Sequence, residues 1–277
     1  MANGVSAAAP RRWGVPRLFL LAIVVAGAAW AANLAFAEVQ AGNTWSLAYG
    51  AGAAALLVLA AGYGVRRRMM RVASRFRAGS AAGWLGLHVW GGSLFLLLML
   101  MHSGFRLPSG VITSGLWWLG WWTVASGIAG RTLQRWIPRM LASGLTTEVL
   151  YERIPELVED LRERAAEVAV GAHEAIVALH RGLETELAAP RRRWLFFVDI
   201  TAGRESRRRE FRHLRRLLGD EDRERLDRLE GLYRTKLEAD AHYTLQQALR
   251  LWLYLHVPGA LLLVALLAAH LYAVWTY

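Results

Sequence analysis

At 277 residues, 55% hydrophobic and with a positive mean hydropathy, the chain is too apolar for an ordinary soluble domain. It has no cysteine, which excludes structural disulfides, cysteine-ligated iron–sulfur clusters and C-x-x-C-H attachment of a prosthetic group. A net charge of +11 would suggest nucleic acid in a soluble protein. Here the basic residues flank apolar runs, so topology and anionic lipid account for most of them and no nucleic-acid partner is expected.

Five stretches lack charge almost throughout, and about twenty apolar residues suffice to cross the hydrocarbon core of a bilayer. They predict spanning helices near 18–37, 47–64, 84–104, 112–130 and 251–274, of which the second is rich in Ala and Gly. The first has signal-peptide features in Arg11, Arg12 and Ala35-Phe36-Ala37, but its apolar run is long for one and is read as a span. The fourth carries Trp117, Trp118, Trp121 and Trp122, an interfacial belt by the safer reading and a wall beside a bound group by the other.

The fold class expected is all-α: an integral membrane bundle with a mostly helical insert. It divides as 1–130, a charged insert at 131–250, and 251–277. Arginines 11, 12, 17, 66, 67, 68, 71, 75, 77, 131, 135 and 139 all fall on one side of this topology, which the positive-inside rule makes cytoplasmic. The expected placement is a bacterial cytoplasmic membrane, with the amino terminus and insert inside and the carboxyl terminus outside.

The insert holds 21 of the 22 acidic residues, Glu38 being the exception. Thr146 or Thr147 is a candidate helix cap, with Pro155 near a turn start. One amphipathic helix is expected over 156–187, broken at Ala189-Pro190. Trp194-Leu195-Phe196-Phe197-Val198 is the one strand-like run, or else a patch that dips into the membrane interface. Helices are expected at 205–218 and 221–248, the second able to run straight into the fifth span. A solvated helical domain and a docking platform for a redox partner are both compatible with this pattern.

Four histidines carry the chemistry. His88 and His102 are fourteen residues apart in the third span, as are His256 and His270 in the fifth. That spacing leaves both rings of a pair on one helix face, about 21 Å apart along the axis. One spanning helix lies between the third and fifth, so the two run parallel. His88 then stands level with His256, and His102 with His270. Each level offers two opposed imidazoles, as a six-coordinate haem iron requires. Gly91, Gly92 and Gly104 would let a flat ring approach the backbone, although small residues also serve plain helix packing. Pro258 and Gly259 are candidates for a bend. Arg106 and Arg250 could pair with haem propionates, or could equally be topology or snorkelling arginines. His173, His180, His213 and His242 lack the neighbours that a metal site in the insert would need.

The motifs His88-x13-His102 and His256-x13-His270 resemble the dihaem cytochrome b arrangement of cytochrome bc complexes and of ferric reductase and NADPH oxidase membrane domains. The resemblance covers roughly 84–130 and 249–277. It implies two b-type haems, with His88, His102, His256 and His270 as iron ligands. It further implies electron transfer between a quinone or quinol and partner redox subunits of a larger complex. No catalytic residue is assigned. The chain departs from these families in its large insert, its five-span length and the absence of a flavin- or nicotinamide-binding segment after the fifth span. Two other readings remain at this stage: a haem-free anchor docking a soluble complex through 131–250, and a proton-relaying transporter, for which Glu38 is the one acidic residue outside the insert.

Overall fold

The structure, a computed structural model, describes residues 16–36, 43–69, 80–144, 151–198 and 204–276, without the side chains of 142–144 and 204–206. Arg11, Arg12, Glu38, Arg71, Arg75, Arg77, Thr146 and Thr147 lie outside the described residues. Every regular element among those described is helical: α1 Arg17–Phe36, α2 Thr44–Arg68, α3 Ala81–His102, α4 Val111–Gly144, α5 Ile154–Ala169, α6 Glu174–Leu187, α7 Arg204–Leu217 and α8 Asp220–Thr276, with short 3-10 turns at Tyr151–Arg153 and Trp194–Phe197. The all-α expectation holds. Four helices are long and apolar enough to cross a membrane, namely α1, α2, α3 and the apolar part of α8. The chain is therefore read as a membrane protein. α4 is not among the four, because Gly, Ser, Thr and Trp dilute the aliphatic content of its first half.

The chain forms two compact units, residues 1–127 with 256–277 and residues 128–255. In the first, α2 and α3 form an antiparallel pair. Small residues set their approach. A Cβ on Gly62 would stand 3.0 Å from the Trp84 ring, and one on Gly52 would stand 3.1 Å from Leu98. Asn43 and Ser80 cap α2 and α3 by accepting the backbone N–H of Ser46 and Gly83. α3 ends in a left-handed turn at Gly104 (φ 61°) and Phe105 (φ 58°), with the Phe105 N–H donating to the Leu100 carbonyl at 2.8 Å. Gly104 thus serves the helix end. Ala53, Leu57, Phe95, Met99 and Leu263 form the core of this unit, with Leu116, Trp117, Leu119 and Val124 of α4 packed against it.

The second unit corrects two expectations and bears out a third. The helix expected over 156–187 is two, because Gly171 (φ 67°) leaves the helical region and His173 caps α6 through its ring nitrogen. The strand-like run 194–198 is a 3-10 turn that buries Phe196 and leaves Trp194, Leu195 and Val198 exposed. The helix expected over 221–248 and the fifth span are one 57-residue helix, α8, uninterrupted at Pro258. Pro155, expected near a turn start, stands in the first turn of α5.

The core of this unit joins Ile176, Leu179, Leu183 and Leu187 of α6 to Phe211 of α7 and to Leu226, Leu229, Tyr233 and Leu237 of α8. Glu186 sits at its edge, accepting from the Tyr233 hydroxyl at 2.8 Å and pairing with Arg207 at 3.0 Å and Arg193 at 3.2 Å. Burial pushes its carboxyl up, but these three donors outweigh burial and hold it below the ordinary value of 4.5. Burial and the same carboxylate push the Tyr233 hydroxyl up to about 12. A depressed carboxyl favours the folded state above its unfolded pKa, and loses that contribution as pH falls through the folded one. Thermal scans should therefore show wild type and Glu186→Gln converging as pH drops from neutral to below 4.5, with wild type the more stable at pH 7.

Candidate functional site

The four membrane histidines meet in two pairs within the first unit. The rings of His88 and His256 have centroids 6.2 Å apart with planes at 81°, and those of His102 and His270 are 6.3 Å apart at 74°. Contacts at both ends show that α3 and the last part of α8 run parallel in matching register, as the fourteen-residue spacing requires.

Hydrogen bonds orient three of the four rings. His88 Nδ1 lies 2.9 Å from the Ala60 carbonyl oxygen, so it carries the proton and donates. His102 Nδ1 lies 2.8 Å from the Ser46 carbonyl oxygen and 3.1 Å from its hydroxyl. The Ser46 hydroxyl itself donates to the His102 carbonyl. His256 Nδ1 lies 2.9 Å from Ser126 Oγ, which is also 3.1 Å from the Thr123 carbonyl oxygen. For His88 and His102 the carbonyl partner makes Nδ1 the donor, and in all three rings Nδ1 is engaged, leaving Nε2 as the nitrogen turned to other partners. That arrangement of outer partners fixes a histidine for coordination through Nε2.

Local backbone makes room for the rings. A Cβ on Gly50 would stand 2.8 Å from His102 Nδ1 and 2.9 Å from its Cε1. Only the missing side chain lets α2 press this close, which brings the Ser46 carbonyl onto Nδ1. Gly127 plays a milder part against His256, at 3.6 Å. Gly91 packs against Leu56 and Leu87, whereas Gly92, one turn from His88, has nothing within 4 Å of its Cβ direction.

The ring separations are of the size a bis-imidazole iron would need. With a metal–imidazole bond of about 2 Å, two rings on opposite sides of one metal have centroids about 6 Å apart. Both pairs match this. The open face at Gly92 suits the edge of a flat macrocycle. Trp117 Nε1 and Thr123 Oγ1 on α4 are buried polar atoms without a partner, fit to meet polar groups of a molecule held between the helices. Among the described residues no three metal-ligating side chains converge. A bare ion is therefore poorly served, while haem iron needs only two axial ligands.

The chain matches no known family model, no characterised protein and no solved structure.

The two arginines fall differently. Arg106 lies exposed in the turn that follows α3. Arg250 pairs with Glu152 and stacks over the Tyr151 ring at 4.0 Å, both in the second unit. Of the other histidines, His173 caps α6, and His242 is buried with Gln246 at 3.2 Å. Trp117 joins the core of the first unit, while Trp118, Trp121 and Trp122 are exposed. The Trp122 ring stands 3.0 Å from the Cβ position of Gly259, so that glycine serves close packing of α4 on α8.

Sequence reasoning missed Ser46, Ser126, Ala60 and Gly50, which orient the rings, and the pair Asn33–Tyr49. Asn33 is 2% exposed and Tyr49 6% exposed, and the amide of Asn33 bonds the Tyr49 hydroxyl while Asn33 Oδ1 has no partner. Trp30 and Trp45 flank the Tyr49 ring. The available signal was Asn33 itself, a lone amide in an otherwise apolar span.

Replacing Gly50 by Val is expected to displace the His102 ring and break its Nδ1 contact to Ser46. The measurement is the set of histidine ring resonances by NMR, in which the His102 signal should shift while that of His88 stays unchanged.

Proposed function

We propose that this chain is a membrane electron-transfer subunit of cytochrome b type, holding one haem between His88 and His256 and a second between His102 and His270. The single observation that carries the reading is the recurrence of the same opposed-imidazole geometry at two levels of one parallel helix pair. When bound, the haems would supply two one-electron centres stacked across the bilayer. The chain's own work is to present Nε2 at each level, fix the tautomers of His88 and His102 through Ala60 and Ser46, engage His256 Nδ1 through Ser126, and keep water from the site with the apolar core around Phe95 and Leu263.

The reading extends to topology. The first part of α4 serves as a fifth span, supported by its packing on the same core as the other spans. The arginines at 17, 66–68, 131, 135 and 139 support an orientation with the 131–250 segment in the cytoplasm of a bacterial cell and the carboxyl terminus outside. Arg106 is the remaining candidate for a propionate partner, since Arg250 already has Glu152.

Electrons would enter from, or leave to, a lipid-soluble quinone and a partner redox subunit. Asn33 and Tyr49 form a neutral amide–phenol pair of the kind that engages ring oxygens without needing a charged ligand. Tyr49→Phe should leave haem content intact and slow quinol-driven reduction at least several-fold. Unchanged rates would remove the pair from the pathway.

The deciding experiment is a pyridine haemochrome assay with a reduced-minus-oxidised spectrum on purified protein. Two b-type haems per chain are expected. A colourless protein would favour the haem-free anchor instead.

A further inference from the structure

Apart from Val170 and Leu217, which stand singly at helix ends, the large exposed apolar side chains described in the second unit gather in three places: Ile128 and Trp136 on α4, Trp194, Leu195 and Val198 on the 3-10 turn, and Leu251, Leu253, Tyr254 and Leu255 on α8. The first and third belong to helices with apolar continuations. The second belongs to no span and calls for a different account.

The turn is held firmly. The backbone N–H of Arg191 donates to the Asp240 carboxylate at 2.8 Å, and that of Arg193 donates to Thr244 Oγ1 at 3.2 Å. Phe196 is fully buried, and Phe197 packs on Trp136 with ring centroids 6.2 Å apart. Two side-chain anchors and a buried aromatic thus fix a backbone that turns Trp194 (72% exposed), Leu195 (48%) and Val198 (79%) outward. A fixed turn displaying three large apolar groups to water is costly, since each retains hydration that burial would release.

Charge identifies the occupant. Arg135 and Arg139 flank Trp136 in α4, whose ring packs on Phe197, and Arg192 stands two residues before Trp194; all three are exposed, while the neighbouring Arg193 is neutralised by Glu186. Trp with Leu or Val, rimmed by arginines, is the composition that seats in the headgroup layer of an anionic bilayer. Position agrees. Trp136 lies eight residues, about 12 Å, along α4 from the exposed Ile128. Thr244, which pins the turn, lies seven residues, about 10 Å, along α8 from the exposed Leu251. The patch therefore stands two turns beyond the apolar stretches of both helices, near the depth of the polar headgroups.

We propose that the turn 194–198, with Trp136, is a membrane-surface contact that docks into anionic phospholipid headgroups and holds the second unit against the bilayer. This goes beyond the electron-transfer reading and does not depend on haem.

The absence of cysteine makes the test clean, because a single introduced thiol can be labelled alone. Full-length Leu195→Cys and Val198→Cys, with Glu221→Cys as a solvent control, carry a nitroxide and are reconstituted into vesicles of phosphatidylcholine with or without phosphatidylglycerol. With phosphatidylglycerol present, labels at 195 and 198 should collide several-fold more with oxygen, relative to a water-soluble nickel complex, than the label at 221. Labels at 195 and 198 as water-accessible as at 221 in both vesicle types overturn the proposal and leave a protein partner as the occupant. Immersion that ignores phosphatidylglycerol overturns the anionic-headgroup assignment.

Discussion

On the two-haem proposal, alanine at His270 is expected to leave one haem per chain instead of two, and alanine at His88 to remove the other one. Each pair consists of two rings 6.2 or 6.3 Å apart, with a single ring from each of α3 and α8. No cysteine is present to tether a haem covalently, so axial coordination and packing alone would retain it. Removing one imidazole opens one side of the iron and takes away about half of the coordination. The two levels are four helical turns apart on both helices, so losing one should barely disturb the other. Haemochrome content should fall by half in each variant, and a redox titration should keep one wave of the wild-type two. The wave lost with His270→Ala should also be the one perturbed by Gly50→Val, because Gly50 touches His102 of the same pair. If the two variants struck different waves, the assignment of levels would be wrong.

The pairing was legible because it follows from counting. Fourteen residues per pair and one span expected between the helices imply both the shared face and the parallel direction. The oxygen atoms that orient the rings were not legible. Ala60 contributes a backbone carbonyl, which no side-chain pattern announces. Ser46 and Ser126 look like any small residue of a membrane helix until tertiary packing brings them to Nδ1. Gly50 lies in an Ala/Gly-rich span where no single glycine stands out, and its role becomes visible only when His102 occupies the place of its Cβ. In the insert, apolar periodicity continues across Gly171, so period alone ran two helices together. At 194–198, strand propensity gave way to the hydrogen bonds that Asp240 and Thr244 offer the segment just before it. The long α8 was readable as two helices without a break, since no Pro or Gly cluster separates 248 from 251.

Lys236→Ala is expected to destabilise the second unit severely. Lys236 Nζ lies 2.7 and 2.9 Å from the two carboxylate oxygens of Asp240, one turn along α8, with the side chains 1% and 2% exposed. Burial pulls the ammonium's pKa down, against the opposing pull of Asp240, and pushes the carboxyl's up. Each charge is thus tolerated only because the other neutralises it. Removing the ammonium leaves a buried carboxylate with the Arg191 N–H as a remaining donor. Breaking such a pair costs about 3–5 kcal/mol, large against the stability of an ordinary domain. The double variant Lys236→Met with Asp240→Leu removes both charges at roughly constant volume and should recover much of that loss. Recovery will be incomplete, because the leucine cannot accept the Arg191 N–H that holds the chain just before Trp194. Thermal unfolding of the full-length protein in one detergent should rank wild type above the double variant, and the double variant above Lys236→Ala. A single variant as stable as wild type would show that water reaches the pair and that the burial argument fails. The double variant carries a second consequence: with Asp240 gone the turn at 194–198 loses one of its two backbone anchors, and nitroxide contact with lipid at 195 should weaken while haem content stays at its wild-type value.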